Sequence, residues 1–237
     1  MNRFDAILFD MDGTLVPMEE QQFVKGYFSE LAAVLCPYGL TPDQLVSSLW
    51  AGVGAMVQND GSRTNEEVFW QVFAARAPEV DLEAVKAESA AFYSGRFHNA
   101  RAYTRENPLA VHAVALARQK ADRVVLATNP LFPANGQATR MSWVGLAPED
   151  FDLVTSYENE RFCKPNPAYY RSICQRLGLQ PQRCLMIGND ENEDMAAAAA
   201  AGLQGWLVTD CLIPCAEQPW QGARGTFAQM VEYLERL

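Results

Sequence analysis

Histidine is scarce in this chain, with two residues, His98 and His112, among 237. The six cysteines, Cys36, Cys163, Cys174, Cys184, Cys211 and Cys215, are scattered and form no Cys-x-x-Cys pair. Together these absences argue against a zinc cluster. Positive charge is also short: 19 lysines and arginines stand against 29 acids, a formal net charge of −10. Without a basic stripe to displace counterions, a nucleic-acid backbone is disfavoured as a partner. A small anionic substrate remains allowed, because a bound metal reverses the local field. No apolar run reaches the roughly 18–20 residues of a membrane span, so no membrane partner is expected. No internal repeat or low-complexity linker is visible. No charged-then-apolar leader is seen either, since Met1-Asn2-Arg3-Phe4-Asp5 runs straight into apolar sequence. The expectation is a cytoplasmic protein with free thiols, Cys211 and Cys215 included. What is present, 49% hydrophobic and 20% charged residues, is ordinary globular composition, enough for one large domain or two smaller ones. Oligomeric state is left open.

The most informative stretch is Ile7-Leu8-Phe9-Asp10-Met11-Asp12-Gly13-Thr14-Leu15. An apolar run, expected to be a buried strand, ends in two carboxylates one residue apart. Positions i and i+2 of a strand point to one side, so both acids can line one crevice. Two like charges at that distance are costly unless a cation lies between them or one stays protonated. The pair therefore asks for a divalent metal, an acid/base role, or both. Short, fixed Asp carboxylates suit hard Mg²⁺, and Gly13 permits a tight turn directly afterwards.

Beyond that strand, residues 19–97 read as helical throughout. Phe23, Tyr27, Phe28, Leu31 and Val34 recur at helical spacing, and Thr41-Pro42-Asp43 reads as a cap and first turn. Gly52, Gly54 and Asn59-Asp60-Gly61 predict a break, and two further helices are expected at 66–75 and 82–92. Strands and helices then alternate: helix 109–120, strand 123–130, helix 134–141, a short strand at 153–155, helix 167–177, strand 184–187, an alanine-rich helix with an acidic first turn closed by Gly202, and a fifth strand at 205–208. Such alternation predicts an α/β fold with a doubly wound parallel, Rossmann-like sheet. The expected domains are a catalytic core of residues 1–16 and 101–237, with an inserted all-helical cap at 17–100.

In such sheets the site lies beyond the carboxyl ends of the strands. Here those ends deliver Asp10 and Asp12, Thr128 and Asn129, and Asn189 and Asp190, while Lys164 lies in a loop before the helix at 167–177, in the string Lys164-Pro165-Asn166-Pro167. These residues suit phosphoryl transfer: a carboxylate nucleophile forms an acyl phosphate, hydroxyl and amide groups hold phosphoryl oxygens, and a lysine with Mg²⁺ absorbs developing charge.

With these four motifs in order, the chain resembles the haloacid dehalogenase superfamily along its whole length, in the phosphatase branch with a helical (C1-type) cap after the first strand. The resemblance implies a Mg²⁺-dependent phosphatase acting on a small phosphorylated metabolite through an aspartyl-phosphate intermediate. It makes Asp10 the nucleophile and Asp12 the general acid/base. It makes Thr128, with Asn129 beside it, the phosphate-binding group, and Lys164 the cation that steadies nucleophile and phosphoryl group. The Asp10 carboxylate, the Asp12 backbone carbonyl and an acid after the fourth strand would hold Mg²⁺. The family often writes Gly-Asp after that strand, whereas this chain has Gly188-Asn189-Asp190, with Asp194 following. Asp190 is the expected direct ligand because an anionic oxygen binds Mg²⁺ better than an amide. Asp194 is then a water-mediated ligand or the partner of Lys164, and Asn189 takes the ligand position if the commoner register holds.

A sugar phosphomutase on the same core is the nearest rival reading. A phospho-signalling receiver is shorter and uncapped, an inactive binding protein on this fold is a further alternative, and a dehalogenase is disfavoured because its branch lacks an acid at the position of Asp12. Substrate choice falls to the cap, where Asn59 and Arg63 on the loop Asn59-Asp60-Gly61-Ser62-Arg63 are the candidates, an ordinary surface turn being an equal alternative. Trp50, Phe69, Trp70 and Phe73 read as cap core. Cys163, beside Lys164, reads as a passive thiol, and His98 and His112 as packing or surface residues.

Overall fold

The computed structural model describes residues 4–237; Met1, Asn2 and Arg3, which bear on the leaderless start and the first core segment, lie outside the described residues. Strand β1 (Phe4–Phe9) is almost wholly buried, as an apolar run flanked on both sides by strands must be. It pairs in parallel with β2 (Ala121–Leu126) on one side and with β4 (Cys184–Gly188) on the other. Outside these lie β3 (Leu153–Val154), β5 (Gln204–Val208) and β6 (Ala223–Gly225), giving the order β3-β2-β1-β4-β5-β6 with every pairing parallel. The winding direction reverses between β3 and β4. The carboxyl ends of β1, β2 and β4 therefore splay around one crevice.

Between β1 and β2 the chain builds helices α1 (Glu20–Leu35), α2 (Pro42–Val57), α3 (Asn65–Arg76) and α4 (Leu82–Ser94), then α5 (Ala110–Lys120) against the sheet. Reciprocal capping boxes start α2 and α3: Thr41 with Gln44, and Thr64 with Glu67. The expected break at Gly52 and Gly54 is absent, and α2 runs through both. Gly52 serves contact instead, because a Cβ there would lie 2.5 Å from the Phe69 ring of α3. Short 3₁₀ turns at Cys36–Tyr38 and Arg96–Tyr103 punctuate the helical block.

Helices α6 (Ala134–Ser142), α7 (Pro167–Leu177) and α9 (Phe227–Arg236) complete the layers around the sheet. The alanine-rich helix differs from expectation: Glu191–Ala196 forms a wide π-type turn, leaving only Ala197–Ala200 as α8. Strand β6 and α9 carry no counterpart in the sequence reading. No described helix is long and apolar enough to cross a membrane, and all six cysteines are free.

Candidate active site

Asp10 leaves the end of β1 and is buried in the crevice. Its Oδ1 accepts from Lys164 Nζ at 2.8 Å, and the same ammonium donates to Asp194 Oδ1 at 2.6 Å. Lys164 is itself buried, although its neighbours in sequence are loop residues. Burial opposes its charge, yet the flanking carboxylates of Asp10 and Asp194 outweigh that and hold the ammonium well above the usual lysine range. For Asp10 burial wins: it raises the carboxyl to about 8, with Lys164 pulling down and the negative charges of Asp194 and Asp12 pushing up.

Asp194 is anchored from both sides. Its Oδ2 accepts the backbone N–H groups of Asn189 and Asp190, each at 3.0 Å. Only glycine is possible at 188, where a Cβ would meet Asp194 Oδ2 at 2.2 Å. Of the two roles expected for Asp194, partner of Lys164 is the one this geometry displays.

Asn189 is spoken for by other groups. Its Oδ1 accepts from the Thr14 hydroxyl at 2.9 Å and its Nδ2 donates to the Cys211 carbonyl at 2.7 Å. It also packs under Gly13, whose φ of 84° and lack of a Cβ are both needed there, since a Cβ would lie 2.3 Å from Asn189 Nδ2. Asp190 Oδ1 caps the following turn, accepting from Asn192 N at 2.7 Å and Glu193 N at 2.8 Å. Burial leads the rise in its pKa, and Asp194 adds to it. Glu193 is pushed up to about 7 by burial, against the pull of Lys164. It accepts from Asn129 Nδ2 at 2.9 Å.

Asp12 shows a feature with no counterpart in the sequence reading. Its Oδ2 is paired with the guanidinium of Arg140 from α6, which is fully buried, hydrogen-bonded to Gln137 Oε1 and stacked 4.1 Å from the Phe132 ring centroid. Asp12 Oδ1 and Asn129 Oδ1 are buried without a hydrogen-bond partner. The signal for Arg140 was faint: a lone cation one turn after Gln137 on a helix face of small residues such as Gly136 and Thr139.

Thr128 is buried and lines the same cavity as Asp10, Asp12, Asn129, Asn189, Asp190 and Asp194. Asn59 and Arg63 do not line it. Asn59 Nδ2 ties down its own loop through Arg63 O and Asn65 Oδ1, and Arg63 binds Gln71 on the exposed side. Phe69, Trp70 and Phe73 are buried in the hydrophobic core, as read, and also border the cavity, whereas Trp50 departs from the core reading at 52% exposed. Cys163 is a passive thiol, with burial raising its pKa.

The fit to a metal is set by charge and donor type. Two cations, Lys164 and Arg140, stand among five acids, Asp10, Asp12, Asp190, Glu193 and Asp194; burial chiefly, and neighbouring acids after it, raise the pKa values of Asp10, Asp190 and Glu193. Among the described residues no three His, Cys, Asp or Glu side chains converge to hold a metal alone. Mg²⁺ needs no such cage, since it is bound through one or two carboxylates and keeps several waters. Asp10 and Asp190 are carboxylates of that kind lining one cavity.

Comparison with known proteins agrees with this geometry. The chain is 28% identical over 199 residues to a phosphoglycolate phosphatase of Rhodospirillum rubrum, covering 84% of this chain and 76% of that protein. It is 38% identical over 58 residues to a glyceraldehyde 3-phosphate phosphatase of Methanothermobacter thermautotrophicus, a match spanning 24% of this chain and only 26% of its relative. Among solved structures, the HAD-hydrolase YfnB from Bacillus subtilis bound to magnesium shares the fold with a TM-score of 0.59 at 19% identity, over 98% of this chain and 99% of that one. A family model for haloacid dehalogenase-like hydrolases matches residues 4–202, a span that takes in every acid, amide and cation of the crevice, and the chain belongs to that family.

Proposed function

We propose that this chain is a Mg²⁺-dependent phosphatase that hydrolyses a small phosphorylated metabolite through an aspartyl-phosphate. The observation that carries the reading is the buried Lys164 ammonium bridging Asp10 and Asp194 at the base of the crevice. A buried cation shared by two carboxylates orients Asp10 for attack and opposes the burial that raises its carboxyl. An Asp10 carboxylate oxygen forms the new bond to phosphorus as the bond to the leaving oxygen breaks. Asp12 gives that oxygen a proton, then takes one from the water that cleaves the acyl phosphate, so its protonation state is restored each turnover. Arg140 holds Asp12 by one oxygen, leaving Oδ1 to carry the proton. Thr128, Asn129 and Lys164 hold the phosphoryl oxygens. Asp10, the Asp12 backbone carbonyl and Asp190 would hold Mg²⁺, which supplies neutralising charge at the phosphoryl group. Helices α1–α4 form the cap (residues 17–100) over a core of residues 1–16 and 101–237. Six free thiols fit a reducing compartment, the cytoplasm. The two relatives named as phosphatases support the reaction class.

The test is hydrolysis of a generic aryl phosphate by purified protein with Mg²⁺ and again with excess chelator. Turnover that vanishes with the chelator and returns with Mg²⁺ is expected. Undiminished activity would overturn the metal assignment, and no turnover on any phosphomonoester would overturn the reaction.

A further inference from the structure

The crevice opens into a cavity of about 680 Å³, within the range of pockets that enclose a whole organic molecule. Its walls away from the strand ends are hydrocarbon: α1 contributes Phe23 and Tyr27, α2 contributes Leu49 and Trp50, and α3 contributes Phe69 and Phe73. The phenol and indole groups on those walls are already engaged with each other. The Tyr27 and Tyr93 hydroxyls are hydrogen-bonded together, and Trp70 Nε1 donates to the Tyr157 hydroxyl at 3.4 Å. Burial pushes Tyr27 up to about 12 and raises Tyr93 further, so both stay neutral.

Charge decides what the cavity rejects. Of the described residues lining it, Arg105 is the lone cation, and its guanidinium donates to Cys211 Sγ at 3.0 Å. Acids line it too, with Glu19, Glu20 and Asp210 present besides the crevice carboxylates. Burial first, and then repulsion from Asp12 and Asp190, raises the pKa of Glu20. A leaving group with its own carboxylate or second phosphate would have Arg105 alone to set against Glu19, Glu20 and Asp210 and the crevice acids. A polyol would find the Tyr27 and Tyr93 hydroxyls already paired, at the cost of its own lost hydration.

From this lining we infer that the substrate is the phosphomonoester of an apolar alcohol, a ring or branched hydrocarbon seated among the α1–α3 aromatics, and not a two- or three-carbon acid phosphate. The inference rests on the phosphatase reading for its chemistry, while the apolar subsite stands on the cavity lining alone.

The test separates the two. Binding of ethyl, butyl, hexyl and 2-phenylethyl phosphate to the Asp10→Asn protein is measured by titration calorimetry, with phosphoglycolate alongside. Affinity should rise about three- to fourfold per methylene, with a negative heat-capacity change that marks apolar burial, and phosphoglycolate should bind weakest. Trp50→Ala, at a half-exposed position compatible with folding, should flatten the chain-length series. A flat series in the parent protein, stronger binding of phosphoglycolate, or a series untouched by Trp50→Ala would overturn the proposal. Hydrolysis of the same esters by the unsubstituted enzyme should follow the same order in kcat/KM. Absence of any hydrolysis, with the binding series intact, would overturn the phosphatase reading and leave the apolar subsite standing.

Discussion

The floor and the walls of the cavity are built on opposite principles. At and beneath the floor, charged groups from the end of β1, the turn after β4, the loop before α7 and α6 are locked together: Lys164 to Asp10 and Asp194, Arg140 to Asp12, Asp194 to two backbone amides. On the walls, aromatic rings meet edge to face or stacked, as Phe69 does with Trp70 and Phe73, and few polar atoms are free. An electrostatic floor is intolerant, because deleting one member leaves another charge buried and unpaired. An apolar wall is forgiving, because its attraction is spread over many weak contacts. Floor substitutions should therefore act on kcat, and wall substitutions on KM and substrate choice.

The sharpest way to break that contrast is at the nucleophile. Asp10→Asn should reduce turnover by about 10⁴-fold or more, as loss of a nucleophile does, while leaving binding of a phosphate ester measurable. A variant with near-normal rates would remove the covalent mechanism and with it the division between floor and walls. Asp12→Asn should cost about 10²–10⁴-fold and let the aspartyl-phosphate accumulate, visible as acid-stable label retained on the protein during turnover.

A smaller effect ranks the loop after β4. Asp190→Asn should raise the Mg²⁺ concentration for half-maximal activity more than Asn189→Ala, with shifts of about 10–100-fold spanning the loop, read by metal titration. Asp194→Asn should act on kcat, since it strips Lys164 of a partner. The reverse order for positions 189 and 190 would mean that the amide, not the acid, lies at the metal.

The smallest expected effect lies outside both regions and serves as a control. Glu160 is buried, and burial pushes its carboxyl up to about 7 against the pull of Arg176 and the Ser172 hydroxyl. A carboxyl raised above its unfolded value contributes stability in full below the ordinary value of 4.5 and loses it as pH rises through about 7. Glu160→Gln should therefore raise the melting temperature at pH 8 and change it little at pH 4. At about 1.4 kcal/mol per pKa unit, the gain is a few kcal/mol at most. A gain independent of pH would assign the effect to packing.

How far the sequence reaches differs between the two regions for a physical reason. Strand ends are written locally: an apolar run stopped by polar residues gives β1, β2 and β4 together with Asp10, Thr128, Asn129 and Asn189. The Lys164 contacts follow once those strands are placed in one sheet. Arg140 on Asp12 does not follow, since 128 positions separate the pair and neither neighbourhood announces the other. Aromatics at helical spacing look alike whether they face a core or open space, which is why the half-exposed Trp50 reads as core alongside Phe69, Trp70 and Phe73, which are core. Strand β6 is three residues, Ala223–Gly225, too short for periodicity to register. The loop at Asn59 and Arg63 has the polar tip of a binding turn, but its amide is spent holding the loop.

The Lys164 bridge also constrains when this protein becomes active during its own folding. Asp10 is 154 positions from Lys164, and Lys164 is 30 from Asp194. Contacts of such separation form late, after the loop-closure entropy has been overcome by packing of the intervening elements. A chain released to fold holds no assembled nucleophile until the segment carrying Asp194 has docked beside β1. During refolding, return of catalysis should then lag behind return of helical signal, and the lag reports the docking of β4 against β1.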